Sequence, residues 1–166
     1  MNSQFVCKIA SLEEFTRKWA IEIQRHPGDN NWRVWRIEAL HRFLTGRSVP
    51  YYGFLDGTAV CEATALLDPA TVQNGAGMME EHTVYLCAFR TEEPFRGKGL
   101  FSRLMTFLQD DLKRKGYTKA ILGVEPEAAD NKAMYQHWGF TELIKTATEM
   151  DPDGAVTTVE YYGKRL

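Results

Sequence analysis

The sequence lacks the features that mark membrane and nucleic-acid-binding proteins. No apolar stretch approaches the roughly 18 residues that suggest a membrane span, and no basic run is long enough for a polybasic membrane patch. The formal net charge of the 166 residues is only −2, which argues against a nucleic-acid partner held by phosphate contacts. We therefore expect neither a membrane nor a nucleic acid as a partner.

Cysteine is also scarce, and its placement excludes a disulfide framework. The three cysteines Cys7, Cys61 and Cys87 are odd in number, far apart and without a CxxC pair. Each lies in an apolar, strand-like context, which is typical of buried free thiols in a reducing compartment. No His/Cys/Asp cluster has metal-ligand spacing, so no metal is expected. Residues 1–4 carry neither a basic start nor an apolar signal core, so we expect a cytoplasmic location.

What the sequence does contain is ordinary globular composition, with 44% apolar and 25% charged residues. Its length fits one domain over residues 1–166. Ser11 and Glu14 form a capping box before the first helix, and Asp56-Gly57 predicts a tight hairpin turn. The expected class is α/β (mixed α+β). The predicted strands cover residues 5–10, 51–55, 58–67, 82–90, 120–124, 141–149 and 157–162, separated by helices that include 31–45 and 129–138.

The stretch from Phe95 to Phe101 joins an apolar strand to a long amphipathic helix. It holds Gly97 and Gly99 between cations. The first N–H groups of a helix have no internal partner and carry partial positive charge, so this stretch predicts an anion-binding loop suited to phosphate. A Walker A loop has no match here, and a GxGxxG fingerprint fails because its third glycine position holds Ser102.

A third motif matches over most of the chain. Arg96-Gly97-Lys98-Gly99-Leu100 resembles the Arg/Gln-x-x-Gly-x-Gly/Ala signature of GNAT-type N-acetyltransferases, which bind acetyl-CoA. Downstream, the stretch Tyr135-Gln136-His137-Trp138-Gly139-Phe140 resembles the Tyr-x-x-x-Gly-Phe segment of that family. The order of elements from the first strand to the final hairpin also fits. The resemblance implies a central mixed, mostly antiparallel sheet with one splayed parallel strand pair, flanked by about four helices.

The resemblance also implies where acetyl-CoA, the expected co-substrate, would bind. Backbone groups at residues 89–91 would contact pantetheine, and N–H groups at residues 96–101 would face the pyrophosphate. Ala128 stands where the family usually has an asparagine, and Asn131, one helical turn later, is the substitute. The implied cofactor-binding residues are Phe89, Arg90, Thr91, Arg96, Gly97, Lys98, Gly99, Leu100, Phe101 and Asn131.

Three residues are candidates for proton transfer. Tyr135 matches the family's usual general acid, and a phenol suits a departing thiolate. Two carboxylates compete for the role of base. Glu62 lies inside a strand, where a charge is unusual unless it faces a cleft, whereas Glu81, just before the central strand, is favoured by family analogy.

The resulting hypothesis is an acetyl-CoA-dependent N-acetyltransferase that transfers acetyl directly to a primary amine of a small molecule in a ternary complex. The first two helices, with Trp32 and Trp35, and the loop at residues 68–81 would shape the acceptor pocket. Two alternatives stay open, a non-catalytic acyl-CoA-binding or sensor domain and acetylation of a protein amine. A homodimer is compatible with the sequence.

Overall fold

One continuous sheet organises the molecule. The computed structural model describes residues 2–166, and across them the chain forms seven strands and four α-helices. In chain order these are β1 (Phe5–Ile9), α1 (Leu12–Arg25), α2 (Asn30–Leu44), β2 (Ser48–Leu55), β3 (Thr58–Leu66), β4 (Thr83–Thr91), α3 (Leu100–Arg114), β5 (Lys119–Val124), α4 (Ala129–His137), β6 (Glu142–Met150) and β7 (Val156–Arg165).

The strand order in the sheet is β1-β2-β3-β4-β5-β7-β6. Only β4 and β5 are parallel, and their pairing runs from Thr83 opposite Lys119 to Leu86 opposite Leu122. Beyond Leu86 the two strands no longer pair, so a gap opens between their carboxyl ends. The predicted fold class, a mostly antiparallel sheet with one splayed parallel pair and about four helices, is confirmed.

Local signals set several boundaries as expected. The Glu14 N–H donates to Ser11 Oγ at 3.2 Å, and the Ser11 N–H donates to Glu14 Oε1 at 2.9 Å, which confirms the capping box. Asp56 and Gly57 both have positive φ, at 49° and 85°, as a type I′ hairpin turn requires.

The start of β2 was predicted at residue 51, and the structure corrects it to Ser48. Pro50, which has no N–H for the ladder, lies within the added residues. In the sheet the Pro50 carbonyl accepts from the Ala10 N–H, so this residue's backbone polar groups face the side of β1 rather than β3. Since β1 ends at Ile9, the missing donor removes no bond between paired strands.

The two faces of the sheet are covered differently. Helix α3 buries Leu104, Leu108 and Leu112 on one face, against a core that includes Ala63 and Ala65 of β3. Successive strand residues point to opposite faces, so Glu62, Thr64 and Leu66 of the same strand face α1 and α2. No helix within residues 2–166 combines the length and the hydropathy needed to cross a bilayer.

Candidate active site

Two clefts meet at the carboxyl half of β4. The loop cleft lies between the end of β4, the turn before α3, and α4, with a volume of about 630 Å³. The tryptophan cavity, named for Trp19, Trp32 and Trp35, lies beneath α1 and α2 with a volume of about 340 Å³. Among residues 2–166, Arg90 alone lines both. Strand β4 is therefore the wall at which groups bound in the two clefts can meet.

The loop cleft gathers the residues expected to hold a CoA donor. All of the predicted cofactor-binding residues line it, together with Tyr135, namely Phe89, Arg90, Thr91, Arg96, Gly97, Lys98, Gly99, Leu100, Phe101 and Asn131. Residues that are distant in sequence, such as Thr91 and Asn131, come together because α4 follows β5 back over the gap between the splayed strands.

Backbone donors concentrate at the start of α3. Gly97 and Gly99 adopt left-handed conformations, with φ of 72° and 73°, and Gly99 caps the helix without any side-chain hydrogen bond. None of the N–H groups from Gly97 to Ser102 donates a hydrogen bond to another residue in the part of the chain described. A Cβ at Gly97 or Gly99 would meet no atom within 4 Å, so the space beside the loop is open. This arrangement suits a phosphate.

Aromatic side chains form the floor of the loop cleft. Phe101 stacks on Trp138 with ring centroids 5.4 Å apart and meets Phe89 edge-on at the same distance. Its bulk therefore packs into the protein. Tyr135 lies edge-on to Phe89 at 5.6 Å, and burial raises the pKa of its phenol. The hydroxyl consequently stays protonated at neutral pH and can act as a proton donor.

A β-bulge in β4 marks the place where the clefts approach each other. Glu62 pairs with Arg90 and Thr64 with Cys87, so one residue of β3 faces two of β4. Ala88, inside the bulge, has a φ of 56°. A left-handed conformation is costly for a non-glycine residue, and such strain persists only where the surroundings impose it. The bulge ends the flat pairing of β4 just beyond its last contact with β5.

A network of charges fixes one end of the tryptophan cavity. Glu22, only 4% exposed, receives contacts from Lys18 Nζ at 3.2 Å, Arg25 Nη1 at 3.1 Å and Arg90 Nη1 at 2.7 Å. Lys18 and Arg25 also reach Glu92, at 2.7 and 2.9 Å. Burial by itself would raise the pKa of Glu22, but Arg90 and Lys18 bring it below its usual value. The network holds α1 against the end of β4.

Glu62 has a weaker set of contacts than Glu22. It is 8% exposed, and the Nε of Arg90 lies 3.4 Å from its Oε1. Its Oε2 has no hydrogen-bond partner among residues 2–166 and is open to the cavity. Burial raises the pKa of Glu62, while Arg90 and Lys18 oppose the rise. A buried carboxylate with a raised pKa and a free oxygen is suited to accept a proton.

The structure does not bring Glu81 to either cleft. It lies in the turn before β4, with a side chain that is 89% exposed and 3.5 Å from His82 Nε2. The bulge at Ala88 is seven residues further along, about 20 Å at the rise of a strand. Family analogy had suggested Glu81 because it adjoins the central strand, but it adjoins the opposite end.

Metal and disulfide chemistry find no support in these side chains. Within residues 2–166, no three His, Cys, Asp or Glu side chains are grouped so that they could hold a metal ion. Cys7, Cys61 and Cys87 are free thiols, and burial raises the pKa of Cys61 and of Cys87 to about 12. Neither of these two is a ready nucleophile at neutral pH.

The sequence matches the model of one protein family, described as the acetyltransferase (GNAT) family, over residues 10–140. The chain belongs to the GNAT family. The match starts two residues before α1 and ends with the Tyr135 segment, so it includes the loop before α3 and all residues that line the tryptophan cavity. As a GNAT protein, the chain is an acyltransferase.

Solved GNAT structures share this fold at low sequence identity. The ribosomal-protein-S18-alanine N-acetyltransferase from Escherichia coli is 16% identical with a TM-score of 0.70, over 98% of this chain and 94% of that one. An N-acetyltransferase from Staphylococcus aureus Mu50 is 17% identical with a TM-score of 0.67, over 98% of each chain. The yncA protein from Salmonella typhimurium, solved with its cofactor acetyl-CoA, is 16% identical with a TM-score of 0.64, over 98% and 94%. A comparison with curated protein sequences gave no match.

Sequence reasoning missed the charged groups that α1 contributes to the candidate site. The buried residues of α1 are Phe15, Lys18 and Glu22, whereas Leu12 is 45% exposed. The spacing of three and four residues that these buried positions share was the available signal. The sequence alone did not reveal these positions as buried, because a lysine and a glutamate are expected on the inner face of a helix only when their charged partners are known. Here the partners are Glu92 for Lys18 and Arg90 for Glu22.

Proposed function

We propose that the chain is an acetyl-CoA-dependent N-acetyltransferase that transfers the acetyl group directly to the primary amine of a small molecule. The observation that carries the proposal is the meeting of two clefts at the β4 bulge, one with a loop suited to phosphate and the other with a buried carboxylate. Donor and acceptor can then be bound at the same time on the two sides of one strand.

Acetyl-CoA fits the loop cleft. The unpaired N–H groups from Gly97 to Ser102 suit a pyrophosphate, and the backbone of residues 89–91 is free of β5 and available to an extended pantetheine chain. Asn131 lines the same cleft from the first turn of α4. When bound, acetyl-CoA would supply the activated acetyl thioester.

The two proton transfers are assigned to residues on opposite sides of β4. Glu62 takes a proton from the acceptor ammonium, so that a neutral amine attacks the thioester carbonyl. Tyr135 gives its proton to the sulfur as the carbon–sulfur bond breaks. As the amide forms, its nitrogen gives up a second proton, which restores the Tyr135 phenol, and the proton held by Glu62 passes to the solvent. The products are therefore the amide, free CoA and one proton. General acid–base steps of this kind contribute roughly 10²–10⁴-fold each.

A small acceptor is favoured by the shape of the tryptophan cavity. Its volume of about 340 Å³ is at the lower end of the range for small-molecule sites, and α1 and α2 cover it. An extended protein segment needs an open groove instead. This consideration separates the proposal from acetylation of a protein amine.

The test has two parts, binding and transfer. Thermal unfolding is followed with increasing acetyl-CoA, and release of free CoA is then measured with pooled arylalkylamines, amino acids, polyamines, aminoglycosides and an alanine-starting peptide. A ligand at 100 times its Kd stabilises the folded state by about 2.7 kcal/mol, which raises Tm by about 5–10 °C for a chain of this size.

Three results contradict the proposal in different ways. No thermal shift at millimolar acetyl-CoA would exclude the donor. A shift without CoA release for any amine would favour a non-catalytic acyl-CoA sensor. CoA release with the peptide alone would move the acceptor to a protein.

A further inference from the structure

The tryptophan cavity is elongated and differs in charge between its two ends. Glu62 and Leu66 both line it, and four residue steps along β3 span about 13 Å. Glu62 lies at the end next to the bulge, opposite Arg90. Ser48, paired with Leu66, and Arg42 of α2 line the cavity toward its other end.

Arg42 retains donors that no protein group uses. Its Nη2 donates to the Thr71 carbonyl oxygen at 3.0 Å, which is its only side-chain hydrogen bond within residues 2–166. The nearest carboxylate oxygen, on Glu38, is 3.9 Å away, beyond hydrogen-bond range. A guanidinium carries five N–H donors, so several are available to a ligand.

The Arg42 side chain is also a partly buried part of the cavity wall. It is 22% exposed and lines the cavity together with Cys87. Burial raises the pKa of the Cys87 thiol, and the positive charge of Arg42 is the main opposing influence. Cys87 is paired with Thr64 in the middle of the cavity, so the charge of Arg42 acts there as well.

Between the two ends, the walls are mainly aromatic. Phe15 and Phe43 stack at 4.9 Å beside Trp19, and Trp32 meets Trp35 edge-on at 5.4 Å. The face of Trp32 is engaged by His26 at 3.8 Å and by Arg90 at 5.1 Å. An apolar body can therefore pack against Trp19 and Trp35.

A second ammonium group would find each further carboxylate of the cavity beside a cation. Glu22 is already bound by three cations. Glu38 also lines the cavity, with its Oε2 3.9 Å from Arg42 Nη2. A polyamine that placed one amine at Glu62 would extend its next charge toward Arg42.

We propose that the acceptor is a zwitterion of the ω-amino acid type. Its primary amine lies at Glu62, an aliphatic or aromatic body packs against Trp19 and Trp35, and its carboxylate is bound by Arg42. This inference rests on the proposed function, because it names the acceptor of that same reaction.

Matched amines with and without the carboxylate test this substrate class. The values of kcat/KM are compared for 6-aminohexanoate against hexylamine, and for 4-(2-aminoethyl)benzoate against 2-phenylethylamine. A charge-assisted hydrogen bond supports a preference of about tenfold or more for each carboxylate. Arg42→Met removes the preference and Arg42→Lys keeps part of it. Arg47→Met keeps all of it, because Arg47 is half-exposed and pairs with Asp68 at 3.4 Å outside the cavity.

A binding measurement makes the test independent of turnover. Tryptophan fluorescence is titrated with 4-(2-aminoethyl)benzoate in the presence of CoA, and saturation is expected in the wild type and in Arg47→Met but at least tenfold weaker in Arg42→Met. Equal kcat/KM within each pair, or equal binding by all three proteins, overturns the inference while acetyl transfer itself stands. Absence of acetyl-CoA binding contradicts the proposed function instead. Thermal unfolding of each variant verifies that it is folded.

Discussion

At the scale of single residues, the proposed reaction depends on two groups whose surroundings differ. Glu62 is buried with one weak ion contact, and Tyr135 lies among aromatic rings on the other side of β4. Burial raises the pKa of both, which makes the carboxylate a better base and keeps the phenol protonated. The assigned roles therefore agree with the protonation states that each environment favours.

Replacing Tyr135 by phenylalanine isolates the acid role. The ring and its contacts with Phe89 and Trp138 remain, and only the hydroxyl is lost. We expect kcat to fall by roughly 10²-fold or more while the Kd for acetyl-CoA stays within about twofold. Steady-state kinetics and calorimetric titration measure the two quantities. Unchanged kcat would remove Tyr135 from the chemistry.

The pH dependence tests Glu62. The base must be ionised, and because its pKa is raised, activity should decline on acidification at a higher pH than the usual value of about 4.3 for glutamate. Glu62→Gln should lower kcat/KM by roughly 10²-fold or more and abolish that acidic limb. The wild type and Glu62→Gln are assayed with the same amine, so that titration of the amine itself affects both pH profiles equally.

The matched control is Glu81→Gln, which changes an exposed carboxylate of the same type and should keep both the rate and the limb. Stability gives a second readout. A raised folded-state pKa favours folding at low pH, and that contribution is lost as pH rises through it, so Glu62→Gln should be as stable as the wild type or more so at pH 7. An unchanged pH profile in Glu62→Gln would contradict the role of Glu62.

At the scale of elements, the loop before α3 is the part to which we assign acetyl-CoA binding. Gly97 and Gly154 both have positive φ, at 72° and 89°, and a Cβ at either would meet nothing within 4 Å. They differ in location, since Gly97 lines the loop cleft and Gly154 lies in the turn between β6 and β7.

Alanine at these two glycines separates backbone strain from ligand binding. Each substitution should cost about 1–2 kcal/mol of unfolding free energy, because alanine is strained in the left-handed region. Only Gly97→Ala should weaken acetyl-CoA binding, by about tenfold or more, since it alters the wall of the cleft. Urea unfolding and calorimetric titration provide the measurements. Equal Kd values for the two variants would contradict a binding role for the loop.

Elements with strong local signals could be predicted from the sequence. The capping box of Ser11 and Glu14, the Asp56-Gly57 turn and the glycine loop each depend on residues close together in the chain. The bulge at Ala88 could not, because no glycine marks it and its strain is imposed by the strands on either side. The burial of Lys18 and the position of Arg42 also depend on partners far away in sequence.

At the scale of the whole molecule, the charge network joins α1 to the turn after β4. Hydrogen bonds from Arg25 and from Lys18 lower the pKa of Glu92 to about 2, although partial desolvation opposes this shift. A depressed carboxyl pKa stabilises the folded state above the unfolded value, and the contribution is lost as pH falls. The network should therefore weaken between about pH 4.5 and pH 2.

Glu92→Gln measures that contribution. At pH 7 the variant should be less stable by roughly 1 kcal/mol, since the carboxylate is partly screened by solvent. Near pH 2 most of the difference should be lost, because Glu92 is then about half protonated in the folded wild type and fully protonated in the unfolded chain. Urea unfolding at several pH values gives the comparison, and a constant difference across that range would exclude the ion pairs as its cause.

The central claim is that donor and acceptor bind together on the two sides of β4 and that acetyl passes directly between them. Initial rates measured with acetyl-CoA and an accepted amine both varied test it most directly. A ternary complex predicts double-reciprocal lines that intersect. Parallel lines, together with acetylated protein in the absence of amine, would indicate a covalent intermediate and contradict direct transfer.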